Sequence, residues 1–265
     1  MNLRYLLGLT MVIPLLPVMY FQGKKIRRTV PVLPEAGEPD GISFANTNSR
    51  LHVLAIGEST MAGVGVSTHG QGFAGSLSRE LSELFQAAIS WQVFAKSGYT
   101  ASRITRSLLP DIPTAKTDLV VVGLGGNDAF RLRTPAMWRR NISGLIAGLR
   151  QRYPHAPIVF TSMPPIKDFP AFTPLIRFTI GNLVEILGKE LRKVAAEHKG
   201  VYYDQRVIRL EKWRTILADE MPEGEVFFSD GVHPSSYTYK VWGRETARYI
   251  YRNDKLRAQL LSTGD

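Results

Sequence analysis

Short apolar runs alternate with amphipathic segments from residue 51 almost to the end of the chain. The apolar runs predict buried strands, several of them closed by a glycine or a proline pair. They cover residues 51–57, 91–98, 118–126, 157–165 and 201–205. Apolar positions spaced three and four apart predict helices between and after them. These helices cover residues 73–86, 102–109, 135–152, 175–198 and 236–251. Such alternation predicts an α/β fold, in which helices cover both faces of a parallel sheet.

The N-terminal segment combines an uncharged apolar run with a basic cluster. Residues 5–21 form a run of 17 residues without a charge, which as a helix would be roughly 25 Å long, the short limit for a bilayer span. No small-x-small cleavage site follows this run. We therefore expect an uncleaved membrane anchor, with a signal peptide cut at another place as the alternative.

The basic cluster after the apolar run indicates on which side of the membrane the following part of the chain lies. KKIRR at 24–28 favours the cytoplasmic face and would bind anionic head groups. We expect association with a bacterial inner membrane and leave a periplasmic catalytic domain open. The predicted organisation is an anchor with its basic cluster at 1–28, a linker or strap rich in Pro, Gly and polar residues at 29–50, and the folded domain at 51–265.

Composition excludes several classes of function. The 33 Lys and Arg against 23 Asp and Glu give a net charge of +10. Half of that excess lies within residues 1–28, which hold five basic residues and no acid. We expect no nucleic-acid partner, because such proteins carry a basic stripe on the folded domain. Cysteine is absent, which excludes disulfides, a cysteine nucleophile and thiolate metal sites. There is no H-x-x-x-H pair, so we expect no metal and no other cofactor.

Polar residues and glycines follow several of the predicted strands. Ligands of parallel sheets bind beyond the carboxyl ends of the strands. Ser59 follows the first strand, Gly98 the second and Asn127 the third, while Asp230 and His233 lie in a Gly/Pro-rich turn near the C-terminus. Taken alone, each of these loops is more often an ordinary turn or helix cap.

Taken together, these loops are a more specific signal than each of them is alone. A nucleophilic serine needs a base, the base needs an orienting group, and a tetrahedral oxyanion needs donors. Of the five histidines, only His233 has a nearby acid on a suitable turn. Asp230, three residues earlier, can reach the imidazole and fix its tautomer.

Four short blocks in this order resemble those of the SGNH hydrolases, the GDSL family of lipases and esterases. The blocks are GEST at 57–60, Gly98, GGND at 125–128 and DGVH at 230–233. The resemblance spans about residues 50–250. It implies a three-layer α/β/α, flavodoxin-like sandwich with a central parallel sheet of about five strands. The lead-in at 27–41 also resembles a bacterial subgroup of these esterases.

The same resemblance assigns roles to the block residues. Ser59 would be the nucleophile, His233 the base and Asp230 the group that orients it. The oxyanion hole would consist of the Ser59 and Gly98 N–H groups and the Asn127 side chain. One residue departs from the family pattern: Glu58 stands where an aspartate is usual. That position is not part of the triad, so activity should survive the change. How the longer side chain of Glu58 braces the serine loop is left open.

The predicted activity is hydrolysis of a small-molecule or lipid ester through an acyl-serine intermediate. An acyltransferase with the same intermediate and a non-enzymatic binding module remain alternatives. A dinucleotide site is disfavoured because Gly63-Val64-Gly65 lacks the third glycine of its motif. Met61 replaces the final glycine of G-x-S-x-G, which disfavours the other serine hydrolase fold. We expect the pocket walls at 163–172 and 213–228, both of which are apolar with scattered charge.

Overall fold

A central sheet organises the molecule. The computed structural model describes residues 12–43, 50–206 and 226–262, together with Tyr5, Gly8 and Thr10. Within these residues, six strands form one sheet in the order β1-β3-β2-β4-β5-β6. They are β1 (Asp40–Ser43), β2 (Arg50–Gly57), β3 (Ala88–Ala95), β4 (Leu119–Gly123), β5 (Ile158–Phe160) and β6 (Val201–Tyr203). Strands β2 to β6 are parallel, which confirms the predicted sheet, and β1 adds an antiparallel edge strand beside β3.

Helices follow the strands, as the apolar spacing predicts. They are α1 (Leu16–Thr29), α2 (Phe73–Phe85), α3 (Ala101–Arg103), α4 (Gly126–Phe130), α5 (Pro135–Arg152), α6 (Pro174–Glu197), α7 (Ser236–Arg252) and α8 (Asp254–Leu261). A 3₁₀ turn at Ile13–Leu15 precedes α1, a π turn (Ile104–Leu108) and a 3₁₀ turn (Leu109–Asp111) continue α3, and a 3₁₀ turn at Ile166–Asp168 follows β5. Side-chain caps fix where the long helices begin, because Thr134, Thr173 and Ser235 each accept a first-turn N–H.

The alternation of side chains along each strand separates two cores. On β4, Val120 and Val122 pack with α5 and α6 on one face of the sheet. Val121 packs with α2 and α7 on the other face. All of β4 is buried, as expected for a central parallel strand. The result is the three-layer α/β/α sandwich that the sequence predicts.

The segment between α1 and β1, residues 30–39, forms a strap without helix or strand of its own. Its backbone bonds to the loop after β2, with Ala36 N donating to Ala62 O at 2.9 Å and Gly37 N to Ser67 O at 3.0 Å. Pro39 O accepts from Val93 N of β3 at 2.7 Å. The strap therefore lies beside the carboxyl end of β2, where the sequence predicts the chemistry.

The N-terminal apolar run is only partly described. Residues 6, 7, 9 and 11 of the run 5–21 lie outside the described residues. In the described part, α1 packs on the domain, with Met19 buried in the core. Among the described residues, no helix has the length and apolar character needed to cross a bilayer. Membrane association stays a prediction.

Candidate active site

The turn that carries Ser59 begins where β2 ends. Ser59 is the second residue after Gly57, and its side chain is partly buried. The turn is closed by Ala62 N, which donates to Glu58 O at 2.9 Å, and by Val64 N, which donates to Ser59 O at 3.1 Å. A serine at the carboxyl end of a central strand lies where ligands bind in such sheets.

Glu58 joins this turn to the GGND block. Its Oε1 accepts from Gly126 N at 2.9 Å and its Oε2 from Asn127 N at 3.0 Å. The residue is only 5% exposed. Glu58 thus braces the turn of Ser59 against the first turn of α4, which answers the question raised by the replacement of the usual aspartate.

Burial has a strong effect on the Glu58 carboxyl. Loss of hydration raises its pKa to about 7, with a smaller contribution from the neighbouring Asp128 charge. The N–H groups of Asn127, Gly126 and Gly125 act in the opposite direction by stabilising the ionised form. The carboxyl beside Ser59 therefore changes its charge near neutral pH.

Two side chains of the GGND block reach the loop that contains Gly98. Asn127 Nδ2 donates to Tyr99 O at 3.1 Å, and Asp128 Oδ2 accepts from Ala101 N at the start of α3 at 2.8 Å. Asp128 is fully buried. Burial raises its pKa to about 6, against the opposing effects of the Ala101 N–H and nearby arginines. Asn127 in the first turn of α4 and the loop that contains Gly98, both with predicted oxyanion donors, are thereby held next to each other.

Gly98 lies in a tight turn after β3. The strand ends at Ala95, earlier than the predicted 98, and the turn closes through Tyr99 N donating to Lys96 O at 3.2 Å. Gly98 has φ of 76°, a left-handed conformation that costs glycine little and other residues more. The positive φ at the third position is the geometry of a type II turn.

Asp230 and His233 form the predicted pair. His233 Nδ1 lies 2.7 Å from Asp230 Oδ2. Asp230 Oδ1 accepts from Val232 N at 2.9 Å and from His233 N at 2.7 Å. The Asp230 side chain is 1% exposed, against 22% for that of His233. The imidazole is thus fixed on one side by a buried acceptor and partly open on the other.

The charge of Asp230 sets the tautomer of His233. Burial acts to raise the pKa of Asp230, but the hydrogen bonds from the His233 ring and from the His233 and Val232 N–H groups outweigh it, and the pKa falls below its ordinary value. An ionised carboxylate accepts hydrogen bonds and has no proton to donate. Nδ1 of His233 therefore carries the proton of this bond, and Nε2 of the neutral ring is left as an acceptor.

Hydrogen bonds hold the Asp230–His233 turn against the turn of Ser59. Ser229 Oγ donates to Gly65 O at 2.9 Å, and the buried Tyr239 hydroxyl donates to Val64 O at 2.8 Å. The described residues include no hydrogen bond between the Ser59 hydroxyl and His233. Catalytic hydrogen bonds are often long without substrate and tighten when it binds.

A cavity of about 70 Å³ lies beside the serine turn. Its walls are mostly apolar and include Thr60, Leu124, Met163, Phe169 and Phe228. The predicted wall at 163–172 therefore contributes to it. Of the second predicted wall, residues 213–225 lie outside the described part of the chain. No group of His, Asp and Glu side chains suited to a metal ion occurs among the described residues.

Three carboxylates of this region have roles that the sequence analysis does not predict. Glu58 accepts the N–H groups of Gly126 and Asn127 in the GGND block. Asp128 accepts the N–H of Ala101, and the strap residue Glu35 accepts that of Ser97, on the two sides of Gly98. For Glu58 and Asp128, the available signal was their place next to Ser59 and Asn127. Glu35 lies in the lead-in segment, and no local pattern points to it.

Comparisons with known proteins bear on the family and the fold. The model of the GDSL-like lipase/acylhydrolase family matches residues 55–241. No curated protein sequence matches the chain significantly. Among solved structures, a lipolytic protein of the G-D-S-L family from Veillonella parvula DSM 2008 is 13% identical, with a TM-score of 0.56 over 76% of this chain and 99% of its own.

Other solved structures with this fold belong to proteins that are named for different activities. An extracellular lipase from Streptomyces rimosus is 17% identical, with a TM-score of 0.53 over 75% of this chain and 99% of its own. A salicylyl-acyltransferase from a tetracycline biosynthetic pathway is also 17% identical, with a TM-score of 0.53 over 77% of this chain and 55% of its own. At these identities, the likeness shows a shared fold and leaves the reaction to be argued from the site.

Proposed function

The chain belongs to the GDSL-like lipase/acylhydrolase family, and on that premise we propose that it hydrolyses carboxylic esters through a covalent acyl intermediate on Ser59. The observation that carries this proposal is the Asp230–His233 pair, with 2.7 Å between Oδ2 and Nδ1. The pair leaves Nε2 as an acceptor on a turn that is hydrogen-bonded to the turn of Ser59. A base of this kind is what a serine hydroxyl needs to become a nucleophile.

In the proposed first step, Ser59 Oγ attacks the ester carbonyl while His233 Nε2 takes the hydroxyl proton. The C–O bond to the leaving alcohol then breaks, and His233 returns the proton to that alcohol. The negatively charged Asp230 stabilises the imidazolium that exists between these two proton transfers. The products of this step are the free alcohol and acyl-Ser59.

The oxyanion of the tetrahedral intermediate needs preorganised donors. We assign these to the N–H groups of Ser59 and Gly98 and to the Asn127 amide. Asn127 Nδ2 already donates one hydrogen to Tyr99 O, which fixes the plane of the amide, and its second hydrogen remains for the oxyanion. Glu58 supports this arrangement by accepting the backbone N–H of Asn127.

In the second step, water takes the place of the alcohol. His233 Nε2 accepts a proton from the water as its oxygen attacks the acyl carbon, and the proton then passes to Ser59 Oγ as the acyl bond breaks. The carboxylic acid leaves and the enzyme returns to its starting state.

A panel of p-nitrophenyl esters from acetate to palmitate tests the proposal. Wild-type protein should turn over at least one ester, and Ser59→Ala and His233→Ala should each lose most of that activity. Ser107→Ala and His155→Ala are matched controls, because both residues are exposed and neither belongs to the four blocks. Loss in a control equal to that in Ser59→Ala, or an inactive wild type, would contradict the assignment.

An acyltransferase is the second candidate function. The named acyltransferase among the solved structures has the same fold, and the same acyl-Ser59 would serve it, with an alcohol attacking in place of water. Product analysis with added acceptor alcohols separates the two activities. A hydrolase yields mainly free acid at every acceptor concentration, whereas a transferase yields mainly the new ester.

A further inference from the structure

Helix α1 presents an outward surface that the fold of the domain does not use. Its inward side packs on the domain through buried Met19 and partly buried Ile26. Gln22 Oε1 on the same side accepts from Thr173 Oγ1 at 2.6 Å. The helix therefore has a fixed orientation, which determines the side chains that face outward.

The first half of the outward surface is apolar. Val18 is 47% exposed, Tyr20 60% and Phe21 68%. Two exposed apolar side chains of the domain, Leu132 and Phe178, lie near the start of α1. They share with the start of α1 the lining of a cavity of about 400 Å³. Several large exposed apolar side chains on one side of a helix are typical of an interaction site in a folded protein.

The second half of the same surface is basic. Lys24, Lys25, Arg27 and Arg28 are all exposed, and no salt bridge among the described residues uses any of the four. At about 1.5 Å per residue, the centre of this basic group lies within roughly 10 Å of the apolar half. One short helix thus carries an apolar end and a cationic end on its free side.

We propose that this outward face of α1 docks on a membrane surface that contains anionic phospholipid. The apolar half enters the boundary between head groups and acyl chains, and the basic half binds phosphates. This occupant fits both halves, because interfacial helices combine buried apolar area with attraction to anionic lipid. A protein partner or a second copy would have to supply an acidic surface next to an apolar one.

Vesicle co-sedimentation of the full chain tests the docking. The vesicles are pure phosphatidylcholine, or phosphatidylcholine with about one third phosphatidylglycerol, at low and at high salt. Wild-type protein should bind the anionic vesicles, and its binding should weaken as salt screens the charges. Reversal of Lys24, Lys25, Arg27 and Arg28 to Glu should weaken binding by about 100-fold or more, since each basic residue near the surface contributes about fivefold.

The matched control reverses four exposed basic residues of other segments, which changes the net charge by the same amount. These are Lys116, Arg140, Lys199 and Lys255. For the apolar half, Tyr20→Ser with Phe21→Ser should weaken binding about tenfold. The control pair Val226→Ser with Leu261→Ser, whose side chains are also more than half exposed, should leave it unchanged.

Several results would overturn the proposal. Equal loss in the two charge-reversed proteins, or equal binding to neutral and anionic vesicles, would remove its basis. Loss of self-association rather than of vesicle binding in Tyr20→Ser with Phe21→Ser, measured by sedimentation velocity, would assign the face to a second copy. Native membranes washed with alkaline carbonate should release the protein. Retention until detergent is added would indicate a span instead.

A second inference rests on a different observation, the strap residue Glu35. Glu35 Oε1 accepts from Ser97 N at 2.8 Å, and Oε2 pairs with Lys96 Nζ at 2.8 Å. Burial acts to raise the pKa of Glu35, but the bonds from Lys96 and Ser97 hold the pKa below its ordinary value. An ionised acceptor therefore holds the two residues that precede Gly98.

We infer that Glu35 is a positioning residue for the proposed oxyanion hole. The inference rests on the proposed function, because Gly98 N–H is assigned there as a donor. Glu35 holds the first half of the Gly98 turn, and Tyr99 in the second half is bonded to Asn127. Without Glu35, Ser97 N–H loses its acceptor, and the turn is left with the bonds of Lys96 N to Gly57 O and of Asn127 to Tyr99 O.

Steady-state kinetics of full-length Glu35→Ala, Glu35→Gln and Lys96→Met test this role. Glu35→Ala should lower kcat about tenfold with KM nearly unchanged, a fraction of the 10²–10³ that loss of a whole oxyanion donor costs. Glu35→Gln keeps an acceptor oxygen, and Lys96→Met keeps the bond to Ser97. Both should stay within about threefold of wild type.

The outcomes distinguish this inference from the proposed function. Active wild type with an unaffected Glu35→Ala overturns the role of Glu35 alone. So does an equal loss of kcat in Glu35→Ala and Glu35→Gln. Wild-type protein without ester turnover overturns the proposed function, and the positioning role with it.

Discussion

Substitution of Glu58 by Gln should change how stability depends on pH. The folded pKa of about 7 exceeds the ordinary value of 4.5, so the folded state binds this proton more tightly than the unfolded chain. The stabilisation is fully present below pH 4.5 and is lost as pH rises through about 7. At about 1.36 kcal/mol per unit, the shift corresponds to about 3 kcal/mol, most of which falls between pH 5 and pH 8.

Urea unfolding of wild type and Glu58→Gln at pH 5, 6, 7 and 8 measures this effect. Relative to the variant, wild type should lose about 2–3 kcal/mol of unfolding free energy between pH 5 and pH 8. Asp128 titrates in both proteins, so its contribution largely cancels in the difference. The exposed Glu83→Gln controls for a general loss of one acid. A wild-type-minus-variant difference that is constant over this range would refute the burial and the charge change argued for Glu58.

Four further substitutions test the division of roles. Ser59→Ala should lower kcat by about 10⁴-fold or more, since it removes the covalent path, and retained turnover would contradict its role. Asn127→Ala should lower kcat by about 10²–10³-fold with KM nearly unchanged, whereas a raised KM at full kcat would make it a ground-state contact. Glu58→Asp keeps the carboxylate and should stay within a few-fold of wild-type activity in the same assay. Gly98→Ala should lower the free energy of unfolding by roughly 1–2 kcal/mol through its positive φ alone, because its Cβ would meet nothing within 4 Å; an unchanged melting temperature would contradict this.

Local signals account for the parts of the fold that the sequence predicts well. The run of valines before Gly123 marks β4, and Thr134 followed by Pro135 marks the start of α5, whose observed bounds equal the predicted ones. These features depend on neighbours within a few residues. Apolar runs and helix caps therefore gave the sheet and most helices, with bounds displaced by a few residues at β3 and β5.

The elements that the sequence does not predict depend on contacts between residues that are distant along the chain, or are too short to show a pattern. The edge strand β1 has no apolar alternation of its own and lies within the predicted linker. It exists because it pairs with β3, and Gly41 permits the close approach of the Trp91 ring, which a Cβ would meet at 2.4 Å. Short helices such as α4, only five residues long, are likewise too brief to produce a period.

The candidate site was likewise only partly predictable from the sequence. The order of the four blocks and the three-residue spacing of Asp230 and His233 could be recognised in the sequence. The braces between the blocks could not, because Glu58 bonds across 68 positions to Gly126 and Glu35 across 62 to Ser97. These bonds end on backbone N–H groups, which every residue but proline has, so no residue pattern records them.

Labelling with a fluorophosphonate probe, followed by peptide mass spectrometry, tests most directly whether Ser59 is an activated nucleophile. The probe reacts with serines that a neighbouring base activates. Wild-type protein should take up one equivalent on Ser59, His233→Ala should label far more slowly, and Ser59→Ala should remain unlabelled. A wild-type protein that stays unlabelled, or a label carried by any serine other than Ser59, would contradict the assignment of this site as a serine hydrolase centre.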